Sequence, residues 1–140
     1  MKQAISILYF AFFSIVFSNQ SNYDYKIKLY GITVANCSVA YSDTILDKKD
    51  AIKIQYSVKT NKIIDRLFKI DNDYTIILDS DSYNPLYYKK NTFQPGTINS
   101  IETEIIDKNI KYKNSNITIN RSDKNIFSIL SIIHNNDLNK

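Results

Sequence analysis

Ile76-Ile77-Leu78-Asp79-Ser80-Asp81-Ser82-Tyr83-Asn84-Pro85-Leu86-Tyr87-Tyr88 is the stretch that decides the fold of this chain. It reads as one strand, a polar turn closed by Asn84-Pro85, and a second strand that opens on an aromatic run. The proline biases Asn84 away from helix, and Asp79, Asp81 and the serines are turn-forming residues that bond to their own backbone.

Towards the N-terminus the same two-residue period recurs. Asp73 to Asp79 puts Tyr74, Ile76 and Leu78 on one face, and Ile52, Ile54, Tyr56 and Val58 alternate with Lys53, Gln55, Ser57 and Lys59. Thr33 to Tyr41 places Ala35, Cys37, Val39 and Tyr41 together, with Asn36 as the residue at which a bulge is expected. Tyr23, Tyr25, Ile27 and Leu29 form the first strand, ended by Tyr30-Gly31. Between these strands, Ser42 to Asp50 is polar apart from Ile45-Leu46 and is expected to be a loop. Ile63, Ile64, Leu67 and Phe68 have helical spacing behind Thr60, a candidate N-cap.

Towards the C-terminus, Leu86 to Phe93 is a strand and Pro95-Gly96 a turn. Ile98 to Ile106 and Ile110 to Ile119 are expected to pair around Asp107-Lys108-Asn109, with a bulge near Asn114 to Asn116. Ser122 to His134 is expected to be a helix capped by Ser122 or Asp123, with Ile126, Ile129, Leu130 and Ile133 on one face. About seven strands with a helical turn and a closing helix predict a mainly β fold with minor α: a curved antiparallel sheet or partial barrel with one or two helices packed against it.

The first residues have another character. Met1-Lys2 is a short positive start, Ile5 to Phe17 is almost continuously apolar, and Ser18 offers a small residue before Asn19. This is the pattern of a secretory leader over residues 1–18, and its apolar run is short of the roughly 20 residues that span a bilayer. Residues 19–140 are then one β-rich domain. The reading predicts an exported chain with at most peripheral membrane contact.

The formal net charge is +4, one less without Lys2, and the lysines are spread among aspartates. Nucleic-acid binders instead cluster their basic residues, so no nucleic-acid partner is expected. Cys37 is the only cysteine, which excludes an intramolecular disulfide, and it is expected to be buried and inert. One histidine, His134, and one cysteine cannot supply a transition-metal set, so no metal and no cofactor is expected. A Ser-His-Asp site would have to be built on that same histidine near the chain's end. Asp79 and Asp81 offer oxygen ligands, but the stretch lacks the glycine and glutamate of an EF-hand loop. Glu102 and Glu104 share one strand face and are expected to be solvent-exposed. The inventory therefore predicts a protein that is not an enzyme; a general base at Asp79 or Asp81 is the reading of last resort.

Tyrosine is the informative residue. Tyr25, Tyr41, Tyr56, Tyr74 and Tyr88 fall on strands, where tyrosine gives a wall with an apolar body and a polar tip. Such a wall on a curved sheet suits a hydrophobic or amphipathic small molecule, and it serves equally as core and sheet rim. The alternative reading is an interaction module that pairs an open sheet edge with another envelope protein.

The order of segments also resembles the domain of unknown function 3108 family. The resemblance rests on the leader, the opening Tyr25 to Tyr41 with Gly31-Ile32 and Ala35, the Asp79-to-Pro85 turn, and Asn125-Ile126-Phe127-Ser128-Ile129-Leu130. It covers roughly residues 23–134 and implies an envelope location and a curved sheet, but no reaction. Asn36 stands where the family's glycine is expected, and Asn125 and His134 stand where an aspartate and an arginine are expected at the ends of the helix. The resemblance also implies further strands after the helix, so a shortened member or an incomplete gene product is expected. Gly31, Asn36, Asp79, Asp81 and Pro85 are thus assigned structural, turn-forming roles, and the five tyrosines the candidate ligand wall.

Overall fold

The computed structural model of the chain describes residues 20–106, 109–113, 115, 117–120 and 124–138. The expected leader and the expected caps Ser122 and Asp123 lie outside the described residues.

Eight strands form one antiparallel sheet in sequence order: β1 (Gln20–Leu29), β2 (Ile32–Leu46), β3 (Lys49–Thr60), β4 (Asp71–Asp79), β5 (Pro85–Gln94), β6 (Thr97–Ile106), β7 (Asn109–Tyr112) and β8 (Thr118–Asn120). The sheet does not close, and one helix, α1 (Ile126–Leu138), packs against it. The fold is therefore mainly β with minor α, as the alternating pattern predicts.

Several local expectations need correction. The segment Ser42 to Asp50 is not a loop: β2 runs on to Leu46 and pairs with β3 as far as Lys49, leaving Asp47-Lys48 as the whole turn. Both turn residues have positive φ, +51° and +65°, the backbone that a two-residue hairpin requires to match strand twist. Tyr30-Gly31 turns β1 into β2 in the same way, with φ of +48° and +81°. Asn36 does not carry the bulge, since it pairs regularly with Lys26 and Lys59. The register slips at Val34, which stands unpaired between Thr33 and Ala35, and Asn61 satisfies the freed groups by donating to the carbonyls of Thr33 and Val34.

Asn61, not Thr60, also caps the following turn, accepting the amides of Ile63 and Ile64 at 3.0 and 2.9 Å. Only one short 3-10 turn forms, Ile64–Arg66, while the Thr60 hydroxyl closes the loop by accepting the Ile70 amide at 2.9 Å. Near the C-terminus the expected single strand from Ile110 to Ile119 is two strands, because Asn109 to Lys111 pair antiparallel with Thr118 to Asn120. The Tyr112 amide donates to the Ile117 carbonyl at 3.2 Å where the two strands meet, and the bulge expected near Asn114 to Asn116 falls on Asn114 and Asn116, which lie outside the described residues.

The strand-turn-strand at the centre forms as expected. Asp79 closes its turn by accepting the Ser82 amide and hydroxyl at 2.8 and 2.7 Å, and Tyr83 takes the positive φ of +55° that the turn needs. Pro85 is buried at the first position of β5 opposite Leu78, where no ladder donor is required, and Leu86 bulges out beside it. Asp81 is exposed and makes no contact that the turn depends on beyond its own backbone.

The core is the concave side of the middle strands. Ile54, Ile76 and Leu78 are fully buried, with Val39, Tyr41, Ile52, Tyr74, Tyr88 and Phe127 packed around them.

The helix is turned differently from the expected face. Its buried residues are Ser128 and Ser131, flanked by Phe127 and His134, while Ile126, Ile129, Leu130 and Ile133 remain about half exposed. The helix is apolar nearly all round, so hydrophobic period alone does not choose its rotation. Small serines let it approach the sheet, and polar tethers set the angle. Asn125 is the actual cap, accepting the Ser128 amide at 2.9 Å, with Ser128 Oγ reaching back to the Asn125 amide at 3.4 Å. This is a capping box with serine in place of the usual glutamate. Lys124 donates to the Ser82 carbonyl and to Asn84 Oδ1, the latter at 2.8 Å, and Asn135 donates to the Tyr83 hydroxyl. Helix and central turn are thus one unit.

Candidate functional site

Strand register gathers the tyrosines. Across the concave face one row runs Tyr23, Val39, Tyr56, Tyr74, and the next runs Tyr41, Ile54, Ile76, Tyr88. The alternation that makes each strand amphipathic therefore aligns the same side on five strands.

The helix lies across these rows. Phe127 sits 6.5, 6.2 and 6.4 Å from the rings of Tyr56, Tyr74 and Tyr88. About 10 Å further along the helix axis, His134 stacks on Tyr41 at 4.6 Å with an interplanar angle of 14° and meets Tyr23 edge-on at 5.4 Å. One helix end covers β3 to β5 and the other β1 and β2, so the sheet curls around it.

Between the helix and the tyrosine rows lies an open groove of about 710 Å³. Val39, Ile54 and the five expected tyrosines form its sheet wall, and Ile126, Leu130 and Ile133 its helix wall. That volume falls in the range of small-molecule sites, and the lining is apolar with hydroxyl tips. A second cleft of about 330 Å³ opens on the far side of the first helical turn, against Ile101, Thr103, Ile105, Ile110 and Tyr112. The two spaces share Tyr88, Ile126 and Phe127.

Three hydroxyls of the wall are held neutral by burial. Burial pushes the Tyr88 hydroxyl up to about 12, helped by Tyr74 and Tyr112, and burial with a hydrogen bond to Cys37 does the same for Tyr56. Tyr41 is raised for the same reason, burial first and then Tyr25 and Tyr23. Cys37 is half-buried beside Tyr56, less enclosed than expected.

All five expected tyrosines reach this groove; Tyr41, Tyr56, Tyr74 and Tyr88 sit within it, and Tyr25, more than half exposed, forms its rim. Gly31, Asn36, Asp79, Asp81 and Pro85 lie outside it. Asp79 is committed to its turn, and the bonds from the Ser82 amide and hydroxyl hold its carboxyl below the usual carboxylate range. Sequence reading left His134 out of the candidate wall, and it is part of the groove, seven positions and two helical turns after Phe127 on the same face. That spacing was the signal that could have found it.

On the convex side, Glu102 and Glu104 are paired rather than free: Lys113 lies 2.9 Å from one and 3.7 Å from the other, with Lys89 3.6 Å from Glu102. Among the described residues no group of three His, Cys, Asp or Glu side chains converges to hold a metal ion. Nor is any described helix long and apolar enough to cross a membrane. No family model, curated protein or solved structure matches the chain.

Proposed function

We propose that this protein is an exported, non-enzymatic protein of the bacterial envelope that holds a hydrophobic or amphipathic molecule between α1 and the tyrosine-lined sheet. One observation carries the reading: a helix that could bury its isoleucines and leucine turns two serines to the sheet instead and leaves Ile126, Leu130 and Ile133 lining an open apolar groove. An apolar chain or ring would lie against Val39, Ile54 and Leu130, with the tyrosine hydroxyls and His134 meeting its polar end. The neutral state of Tyr41, Tyr56 and Tyr88 supports an uncharged contact surface. The resemblance to the domain of unknown function 3108 family supports the envelope setting, and the contacts of Lys124 and Asn135 with the central turn give a physical reason for its two motifs to occur together.

Native mass spectrometry of the protein recovered from a bacterial host tests this. A compact species with added mass in the lipid range is expected, and Leu130→Glu should remove the adduct without unfolding the chain. A compact species with no adduct, which also takes up no fatty acid supplied in excess, overturns the reading. The second reading, edge pairing, is favoured by β1, a ten-residue strand with one neighbour among the described residues. A stoichiometric complex with another envelope protein in the same spectrum would select it.

A further inference from the structure

The meander brings the β1–β2 turn, the β3–β4 connection and the β5–β6 turn to one end of the sheet. Three contacts hold them together: Asn61 donates to the carbonyls of Thr33 and Val34, Lys69 lies 4.9 Å over the Phe93 ring, and the Phe93 amide donates to Asn72 at 3.1 Å. The side chains at this end are apolar and uncovered. Tyr30 is 97% exposed, Ile63 77%, Leu67 85% and Ile98 76%, and Leu29, Ile32, Phe68 and Phe93 are exposed beside them. From β1 to β6 they extend over about 24 Å at the usual strand spacing.

Phe93 carries Lys69, and the sheet leaves the other side chains uncovered. A monomer gains nothing in water from so continuous an apolar rim, which marks a surface that is covered in use. Its charge says by what. Lys28, Lys62, Arg66 and Lys69 are exposed among the apolar side chains, and with Lys59, which lies 3.0 and 3.5 Å from Asp71 and Asp73, they outnumber the three nearby carboxylates Asp65, Asp71 and Asp73, so this end is net positive. Aromatic and aliphatic tips interleaved with an excess of exposed cations are the composition of a surface that settles into a headgroup layer.

We infer that this end of the sheet is a membrane-docking edge that takes an anionic lipid surface. Ile63, Leu67, Phe68 and Ile98 enter the boundary between headgroups and acyl chains, while Lys62, Arg66 and Lys69 pair with the phosphates. The opposite end serves as the internal control, because its β4–β5 turn is polar and is held at Ser82 and Asn84 by Lys124 and at Tyr83 by Asn135 of α1. The inference does not depend on the groove being occupied.

The chain contains no tryptophan, so a single introduced one reports its own surroundings. Leu67→Trp and Ile98→Trp mark the docking edge, and Ile45→Trp marks an exposed position at the opposite end. Each full chain is mixed with vesicles of phosphatidylcholine and phosphatidylglycerol, and with vesicles of phosphatidylcholine alone. At the edge, emission should shift to the blue and lose quenching by iodide with the anionic vesicles, and Ile45→Trp should stay water-exposed. Replacing Lys62, Arg66 and Lys69 together by Gln should weaken partitioning roughly a hundred-fold, at about five-fold per basic residue near an anionic surface. No shift at Leu67→Trp, an equal shift at Ile45→Trp, or an edge shift that follows protein concentration without vesicles each overturns the inference. The last of these would assign the edge to a second copy of the chain, and equal shifts would assign membrane binding to the apolar run at Ile5 to Phe17.

Discussion

The two ends of the sheet use the same strands and opposite side chains. At the end that carries the β4–β5 turn, Asp79 bonds Ser82, and Ser82, Tyr83 and Asn84 receive Lys124 and Asn135 from the helix and the residue before its cap. At the other end, Tyr30, Ile63, Leu67 and Ile98 touch little beyond their neighbours and face outward. The contrast teaches that polarity and structural importance can run together in a protein of this size. Here the polar end is assigned to holding the fold, and the apolar end to a role outside it.

Substitutions can break or sharpen that contrast. The strands common to both ends set the scale: Ile76→Ala, in the fully buried centre, should cost about 2–5 kcal/mol in urea denaturation. Asp79→Ala at the polar end removes two hydrogen bonds to a carboxylate and should cost about 1–3 kcal/mol. The sign of its pH dependence follows from its lowered carboxyl. The contribution of Asp79 is fully present above the ordinary carboxylate value of 3.8 and is lost as pH falls through the lower folded value. Asp79→Asn should therefore flatten the acid limb of the stability curve, and an unchanged limb would show that the turn does not depend on the charge. Loss of the helix cap in Asn125→Ala should cost about 1 kcal/mol and loosen the contact of α1 with the sheet. Smallest of all, Leu67→Ser at the apolar end should change stability by no more than about 0.5 kcal/mol. A larger loss there would mean that this end also holds the fold.

The alkaline side concerns the groove rather than the ends. Tyr56 and Tyr88 ionise at about 12 in the folded chain against an ordinary 10.0, so the stability they contribute is complete below pH 10.0 and is lost as pH rises through about 12. Tyr56→Phe should remove part of that alkaline loss, read as a shallower fall of the unfolding midpoint with pH.

What the sequence made legible was whatever a two-residue period can carry. The alternation at Ile52 to Val58 and at Tyr74 to Leu78 specified both the strands and their inner face, and the same alternation put Tyr25, Tyr41, Tyr56, Tyr74 and Tyr88 on one side. Ser42 to Leu46 was hidden because its strand conformation comes from pairing with β3, not from its own polar residues. Val34 was hidden because a bulge is a mismatch between two strands, and the letters of one strand do not contain it. The rotation of α1 was the largest gap. Isoleucine, leucine and phenylalanine lie on most of its circumference, and the choice among faces is made by bonds such as Asn135 to Tyr83, 52 residues apart in the chain. The apolar end of the sheet was visible only as scattered hydrophobic residues in turns until the meander placed those turns side by side.

The measurement that tests the central reading most directly is a titration of the full chain with a fluorescent fatty acid, compared between wild type, Leu130→Glu and Leu67→Glu. The account predicts saturable one-to-one binding by wild type, a loss of about ten-fold or more in Leu130→Glu for a charge facing an apolar ligand, and near-wild-type binding in Leu67→Glu. Binding that survives in Leu130→Glu, or falls equally in Leu67→Glu, would contradict the assignment of the groove between α1 and the tyrosine rows as the ligand site.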